Sequence, residues 1–276
     1  MSEQTPPRLA STVLLLRDNA DTHQLEVFVQ QRVGTMKFAA GMTVFPGGRV
    51  DPRDRPSSGT SVPWCGADAH TWATMLNVDA DTAAALVIAA VRETFEETGT
   101  LVATTADGEV VTTTEHLRQS RYALEDRTLA MSQFLRDNDL SIGADLLRPW
   151  GNWVTPPWLP TRFDTFFFLA AQPPHQRADG DTGESERSRW AAPQALLDEW
   201  EDGQIGLMPP TWYQLNRLRE ATTAAQAMEM AREPMYRTTS DFLGEKVMDP
   251  FFAVADHLGG LRDAARAHRD HTRPAQ

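Results

Sequence analysis

Apolar runs near the start of the chain predict two neighbouring β-strands. Residues 11–18 read STVLLLRD and residues 25–32 read LEVFVQQR, with the polar segment DNADTH between them. Short apolar runs separated by a turn-forming segment are typical of a β-hairpin. The glycine-rich segment 34–52 carries a further short apolar run that ends in the letters FPGG, which predicts a strand leading into a tight loop.

One long helix stands out further along the chain. The segment DTAAALVIAAVRETFEETG (81–99) consists largely of good helix formers, with Asp81 or Thr82 available to cap its start and Gly99 to end it. Residues 51–80 have the composition of an irregular segment, apart from a short helix predicted within WCGADAHTWATML.

The pattern after this helix predicts further elements of both kinds. Helical segments are expected over 116–140, in one or two pieces, and over 211–233. Apolar runs predict strands within 101–111 and over 162–172. The polar, acidic residues 173–188 are typical of a loop. Together these elements predict a mixed α/β fold.

Composition and charge narrow the range of functions. Hydrophobic residues make up 41% and charged residues 23% of the 276 residues, as in ordinary globular proteins. No stretch has the length and apolarity of a membrane span, and the N-terminus lacks the pattern of a secretory signal. The net charge of −12 disfavours binding to nucleic acids and to anionic membranes, so we expect neither as a partner.

The single cysteine, Cys65, makes an intramolecular disulfide impossible and a reducing cytoplasm the expected location. His70 lies five residues after it, but two candidate ligands are too few to predict a zinc site.

Three glutamates near the end of the long helix form the main candidate site. Glu93, Glu96 and Glu97 occupy positions i, i+3 and i+4, so their carboxylates share one helical face. Their mutual repulsion and the helix dipole both disfavour three anions at this end, and a bound hard cation would remove both penalties. Arg92 supplies one positive neighbour. The pattern therefore predicts a site for Mg²⁺ or Mn²⁺.

The turn Gly47-Gly48 is the second element of the candidate site. Glycine lets the backbone approach a ligand closely. A carbonyl there can complete the coordination shell of a metal ion, and an amide can contact a phosphate oxygen.

The spacing of these residues resembles the box of the Nudix hydrolases. That box is a glycine, five residues, a glutamate, seven residues and then R-E-U-x-E-E-x-G-U, where U is a bulky aliphatic residue. Gly48 corresponds to the glycine, and the stretch RETFEETG from Arg92 to the second half. Between them lie thirty residues more than in the box, and the box glutamate, counted back from Arg92, falls on Ala84. A split box of this kind resembles the branch that includes coenzyme A diphosphatases.

The stretch before the box partly resembles the pattern of the coenzyme A-cleaving members. Arg32, Gly41 and the letters FPGG match that pattern, and Lys37 stands where it has a second arginine. The resemblance implies hydrolysis of a small nucleoside diphosphate derivative, with coenzyme A or acyl-coenzyme A favoured. A dinucleotide, a nucleotide sugar or NADH remains open as the substrate.

The resemblance also implies roles for particular residues. Glu93, Glu96 and Glu97, with Gly48, would bind one or more Mg²⁺ or Mn²⁺ ions. Arg92 belongs to the same catalytic motif, and the general base would be Glu97 or Glu184. Contacts to the substrate phosphates would come from Arg32, Lys37, Gly47 and Arg162.

For the fold, the resemblance implies a single Nudix domain over residues 1–276, with a mixed, curved β-sheet between helices. Two segments would be appended to it, an insertion over 51–80 and a C-terminal helical extension over 230–276. Two uses are open for them: contacts in a homodimer or walls of the substrate pocket. A rival function is a catalytically silent domain that only binds a nucleotide, which the three intact glutamates disfavour and Ala84 favours.

Overall fold

A large, curved, mixed β-sheet runs through the centre of the computed structural model. The structure describes residues 6–34, 39–55, 62–157, 159, 161–231, 235, 237–239, 248, 250–251 and 254. The strands of this sheet and of a smaller one are β1 (Arg8–Asp18), β2 (Leu25–Arg32), β3 (Met42–Val44), β4 (Gly47–Arg49), β5 (Trp64–Cys65), β6 (Ala103–Thr105), β7 (Leu140–Gly143), β8 (Leu147–Val154), β9 (Phe163–Ala171), β10 (Ser185–Ala191), β11 (Gly206–Leu207) and β12 (Arg237–Thr239).

The large sheet has the order β11-β3-β2-β1-β9-β8-β12, with β10 also paired to β2 and β4 to β1. β1 runs parallel to β9 along their whole overlap at the centre, and antiparallel to β2 and β4. The predicted hairpin of the first two strands is therefore confirmed. The small sheet has the order β5-β7-β6.

Helices cover both faces of the large sheet. They are α1 (Ala69–Leu76), α2 (Ala80–Thr98), α3 (Arg118–Glu125), α4 (Met131–Asp137), α5 (Pro193–Glu201), α6 (Pro209–Leu218) and α7 (Ala224–Met230). Along β9, Phe166 and Phe168 pack in the core that contains α2, while Phe167 and Leu169 pack in the core that contains α5 and α6. This alternation follows from the two-residue period of a strand. The predicted sheet between helices is confirmed.

Two predicted helix boundaries are wrong for identifiable reasons. α2 begins at Ala80 and is capped by Asp79, two residues before Asp81 and three before Thr82, because the carboxylate of Asp79 accepts a hydrogen bond from the amide of Thr82 (2.8 Å). The single helix expected over 211–233 is two helices, α6 and α7. Thr223 caps α7 by accepting from the amide of Gln226 (3.1 Å), and the carbonyl of Thr222 pairs with the amide of Leu25.

The C-terminal segment contributes more than the predicted helical extension. β12 adds a parallel strand beside β8, and the side chain of Phe251 is buried against Trp200. Most of residues 230–276 lie outside the described part of the chain. No single described helix is long and apolar enough to cross a membrane; α1 and α2 meet that test only as a pair bent by 92°.

Candidate active site

The last turns of α2 hold the three predicted acids. Glu93, Glu96 and Glu97 follow a run of small and apolar residues that buries the helix against the sheet. The helix ends at Gly99, whose φ of 70° suits glycine and whose amide donates to the carbonyl of Phe95. Glu96 and Glu97 are buried, at 7% and 6% exposure, so these carboxylates do not point into solvent.

The glycine turn lies directly against these acids. The amide of Gly47 donates to Oε2 of Glu97 at 3.0 Å. A Cβ atom built on Gly48 would lie 2.6 Å from the carboxylate of Glu93, and one on Gly47 would lie 2.4 Å from the carbonyl oxygen of Ser11. A side chain at Gly47 would therefore clash with backbone, whereas one at Gly48 would require the carboxylate of Glu93 to move. The two halves of the motif meet in space, although the chain between them is long.

Arg92 links the acids to a residue that the sequence analysis missed. Its guanidinium donates to both carboxylate oxygens of Asp54, each at 2.9 Å, and to the carbonyl of Arg49 at 3.1 Å. It also pairs with Glu93 at 2.8 Å and Glu96 at 3.0 Å. Burial alone would lower the pKa of Arg92, but these acids more than offset it, so its pKa is raised and its charge is fixed.

Asp54 corrects the sequence analysis, because it lies six positions after Gly48 and so fills the place of the first glutamate of the box. That acid is present as an aspartate, and the comparison with Ala84 was wrong. The thirty extra residues therefore follow Asp54 rather than begin at position 51. A local signal was available: Asp51, Pro52 and Asp54 form a capping box around a short 3-10 helix, Pro52–Asp54.

Burial raises the pKa of all three carboxyl groups on α2. For Glu93 it raises the pKa to about 7, opposed by Arg92 and reinforced by the charge of Glu96. For Glu96 burial is again the largest cause. For Glu97 burial acts together with the charges of Glu93 and Glu184. A cation beside these groups would relieve the cost of ionising them.

The donor set fits a hard divalent cation in its chemistry. Oε1 of Glu96 is buried and has no hydrogen-bond partner, so one carboxylate oxygen is left for a ligand. Within the described residues, no three Asp, Glu, His or Cys side chains are already gathered as a metal cluster. The reason is that Arg92 contacts Glu93 and Glu96, and Gly47 contacts Glu97, so an ion shared by all three acids would have to displace these contacts.

A cavity of about 960 Å³ opens beside the glycine turn. Gly47, Gly48, Arg92 and Glu93 belong to its wall, whereas Glu96 and Glu97 are not among its described lining residues. Its volume lies near the upper end of ordinary ligand pockets. The candidate metal site and a large binding space therefore adjoin each other at Glu93.

Two further predicted residues, Arg32 and Glu184, meet at this cavity. Nη2 of Arg32 lies 3.3 Å from a carboxylate oxygen of Glu184, and both residues line the wall. Their proximity follows from β10, which starts at Ser185 and pairs with β2. The polar loop predicted to extend to residue 188 therefore ends earlier, at the start of this strand.

Arg162 and Lys37 are the two other side chains that were predicted to contact the substrate phosphates. Arg162 donates from Nε to the carbonyl of Thr155 at 3.2 Å and is not among the described residues of the cavity wall. The structure thus gives Arg162 a structural contact at the start of β9. Lys37 lies outside the described residues.

Arg121 on α3 is a second buried cation that the sequence analysis did not single out. It donates to the carbonyl of Glu96 at 3.0 Å and pairs with Asp179 at 2.8 Å. It also donates to the carbonyl of Asp181 at 3.0 Å. The segment that leads to Glu184 is thereby fastened to the end of α2.

Comparison with known proteins agrees with this geometry. A family profile described as the NUDT19 Nudix domain matches residues 7–218. The putative nudix hydrolase 7 of Caenorhabditis elegans is 29% identical over 200 residues, 70% of this chain and 56% of that protein. The acyl-coenzyme A diphosphatase NUDT19 of Xenopus laevis is 24% identical over 248 residues, 77% of this chain and 64% of that protein. The chain thus spans less than two thirds of the length of these relatives.

A crystal structure of a NUDIX hydrolase from Alicyclobacillus acidocaldarius shares the fold. It has a TM-score of 0.68 and 30% identity, covering 83% of this chain and 98% of that one. The split motif, the contact between its two halves and these similarities have one explanation: the chain belongs to the Nudix hydrolase family.

Proposed function

We propose that this protein hydrolyses the pyrophosphate bond of coenzyme A or acyl-coenzyme A in the presence of Mg²⁺ or Mn²⁺. The observation that carries the proposal is the contact of Gly47 and Gly48 with Glu97 and Glu93 at the edge of a cavity of about 960 Å³. The names of the acyl-coenzyme A diphosphatases among its relatives support this substrate class.

The reaction adds water across one phosphoric anhydride bond. The water oxygen bonds to one phosphorus, the bridging P–O bond breaks, and the other phosphate leaves with the bonding electrons. Cleavage of coenzyme A would give 3′,5′-ADP and 4′-phosphopantetheine. When bound by Glu93, Glu96 and Glu97, a divalent ion supplies charge neutralisation and a more acidic water.

The residues of the chain have separate tasks in this proposal. Arg32 would bind a phosphate oxygen, because it lines the cavity and a guanidinium can make paired hydrogen bonds to phosphate. Glu184 suits the role of general base better than Glu97, because it lines the cavity and its side chain is 52% exposed. Glu97 is buried and already accepts from the amide of Gly47. Arg92 and Asp54 hold Glu93 and Glu96 in place.

A substrate panel tests the proposal directly. Coenzyme A, NADH, a dinucleotide and a nucleotide sugar would each be incubated with Mg²⁺ or Mn²⁺, and the products separated by chromatography. We expect metal-dependent release of 3′,5′-ADP from coenzyme A, and a loss of at least about a hundredfold in Glu97→Gln. The exposed Glu109→Gln serves as the matched control.

Three outcomes would contradict the proposal. If another diphosphate of the panel were cleaved faster than coenzyme A, that compound would be the better candidate substrate. If all compounds of the panel were cleaved equally slowly, the proposed preference for coenzyme A would be wrong. Binding of coenzyme A without metal-dependent turnover would favour the silent domain. A cytoplasmic location and a homodimer stay predictions.

A further inference from the structure

The wall of the cavity differs in charge from one side to the other. Three exposed arginines, Arg49, Arg55 and Arg127, line one part of it. Arg49 is the last residue of β4, Arg55 directly follows the Pro52–Asp54 turn, and Arg127 lies in the segment after α3. Arg53 donates to the carbonyl of Arg127 at 2.7 Å, so these two segments are in contact and the cations lie on adjoining chain segments.

The other part of the wall is apolar and has a continuous floor. Thr12 of β1 pairs with Gly47 on one side and with Phe167 of β9 on the other. On β9, Thr165 in turn pairs with Trp153 of β8. The floor therefore crosses three strand spacings from the glycine turn to Trp153, or about 14 Å at about 4.8 Å each.

Between the glycine turn and Trp153 this floor carries aromatic and small apolar side chains and the hydroxyl groups of Thr12 and Thr165. The described lining also includes the exposed Arg8 at the start of β1 and the hydroxyl groups of Thr155 and Thr211. Met248 and Phe251 also line the cavity, and both lie beyond the family match at 7–218. Phe251 is fixed by stacking on Trp200, with ring centroids 5.0 Å apart. The C-terminal segment thus supplies a wall of the cavity, one of the two uses left open for it.

We propose that the apolar floor binds the acyl-pantetheine arm of the substrate, while the part of the wall that carries Arg49, Arg55 and Arg127 binds the phosphorylated adenosine. The inference rests on the proposed function, because a pyrophosphate at Gly47 and Gly48 determines where the two arms begin. A neutral chain gains from leaving water on an apolar surface, whereas a phosphate there would lose its hydration without a partner. The floor from the glycine turn to Trp153 therefore selects the neutral arm.

Thr165→Trp tests the floor, because Thr165 is half-buried, lines the cavity and lies between Ala10 and Trp153. The added ring would occupy the floor while the phosphate end stays unchanged. Thr112→Trp is the matched control, since it adds the same ring at an exposed position outside the lining. Thr165→Glu is a second variant, to be used if thermal melting shows that Thr165→Trp does not fold.

Pairs of related substrates distinguish the binding of the acyl-pantetheine arm from the binding of the phosphorylated adenosine. We expect Thr165→Trp to lower the ratio of kcat/KM for octanoyl-coenzyme A to that for coenzyme A by about tenfold or more. Thr112→Trp should leave this ratio at the wild-type value. Arg55→Gln should instead weaken discrimination between coenzyme A and 3′-dephospho-coenzyme A. An equal loss for both substrates in Thr165→Trp would overturn the acyl part of the proposal, and unchanged kcat/KM for both would overturn the whole of it.

A binding measurement distinguishes this inference from the proposed function. Octanoyl-pantetheine has no pyrophosphate, so its binding, measured by calorimetry, depends on the floor and not on hydrolysis. Tight binding to wild type and about tenfold weaker binding to Thr165→Trp would support the subsite even if coenzyme A is never cleaved. Turnover of coenzyme A with equal binding to both proteins would refute the subsite alone.

Discussion

The carboxylate of Asp54 accepts two hydrogen bonds from the guanidinium of Arg92, each 2.9 Å long, across 38 positions of the sequence. Both side chains are almost fully buried, at 1% and 8% exposure. A paired geometry of this kind holds a buried charge firmly. It also makes the loss of Asp54 costly, because two buried donors of Arg92 then lose their partner, although the guanidinium still pairs with Glu93 and Glu96.

Replacing Asp54 by Asn should therefore reduce the free energy of unfolding by about 3 kcal/mol. Urea denaturation followed by circular dichroism measures this change. The matched control is Glu199→Gln, which breaks the more exposed pair with Arg189 and should cost less than about 1 kcal/mol. Equal losses in the two variants would show that the Asp54 pair is no stronger than a surface ion pair.

The two glycines of the turn should respond differently to substitution by alanine. In Gly47→Ala the new Cβ meets the backbone of Ser11 and Thr12, so we expect a stability loss of about 2 kcal/mol. In Gly48→Ala its nearest contacts are the carboxylate atoms of Glu93, at the end of a side chain that can turn away. Stability should then change little, while kcat/KM falls by at least about tenfold.

Gly34→Ala is the control for both substitutions, because its Cβ would lie an ordinary 3.7 Å from Oε1 of Glu186. Thermal melting and steady-state kinetics on the same preparations separate the two effects. A Gly48→Ala protein with normal activity would mean that the position of Glu93 is unimportant for turnover.

Burial of Glu93 makes stability depend on pH in a defined direction. Its pKa is raised from 4.5 to about 7 in the folded protein, so between these values the folded state holds more protons than the unfolded chain. Stability from this group is present below pH 4.5 and is lost as the pH rises through about 7. Replacing Glu93 by Gln should remove this contribution, so the variant should gain Tm relative to wild type as the pH rises.

Scanning fluorimetry without divalent ions, at about pH 5.5 and about pH 8, checks this difference. Mn²⁺ binds the ionised carboxylates, so it should raise the Tm of wild type more at the higher pH than at the lower. A Tm difference between wild type and Glu93→Gln that stays constant across the window would refute the buried titration. An equal gain from Mn²⁺ at both values would place the ion elsewhere.

The proposed role of Glu184 as the general base can be tested by comparing its substitution with that of Glu186, a nearby glutamate on the same segment. Glu184→Gln should lower kcat by at least about a hundredfold with a smaller effect on KM, because the base acts in the chemical step. Glu186→Gln, two residues further along and bonded to the amide of Gly34, should stay within about twofold of wild type. A KM effect alone in Glu184→Gln would reassign Glu184 to the placement of Arg32.

Local sequence signals predicted the central sheet and the acids on α2, because strand alternation and the i, i+3, i+4 spacing depend only on neighbouring residues. These local signals could not predict contacts between residues that are far apart in the sequence. The pairing of Asp54 with Arg92 is such a contact, and counting backward along the chain led to Ala84 instead. Along α2, Ala84 lies nine residues from Glu93, or about 14 Å at 1.5 Å per residue, too far to share an ion.

The pairing of β10 with β2 was missed for the same reason. The first four residues of its sequence, SERSRWA, are polar and lack the apolar signal of a strand, so they were predicted as part of the loop, and only the following RWA was predicted as a strand end. Only the register with β2 brings its start, and therefore Glu184, next to Arg32.

The thirty extra residues between the two halves of the motif cannot be regarded as a removable loop. Their strand β5 pairs with β7, and Trp72 and Leu76 of α1 lie in the main core at 2% and 3% exposure. Excising them would open a void where an indole now packs and would free one edge of β7 for pairing with other chains. Shortening this protein to the spacing of an unsplit box should therefore yield aggregates rather than a smaller enzyme.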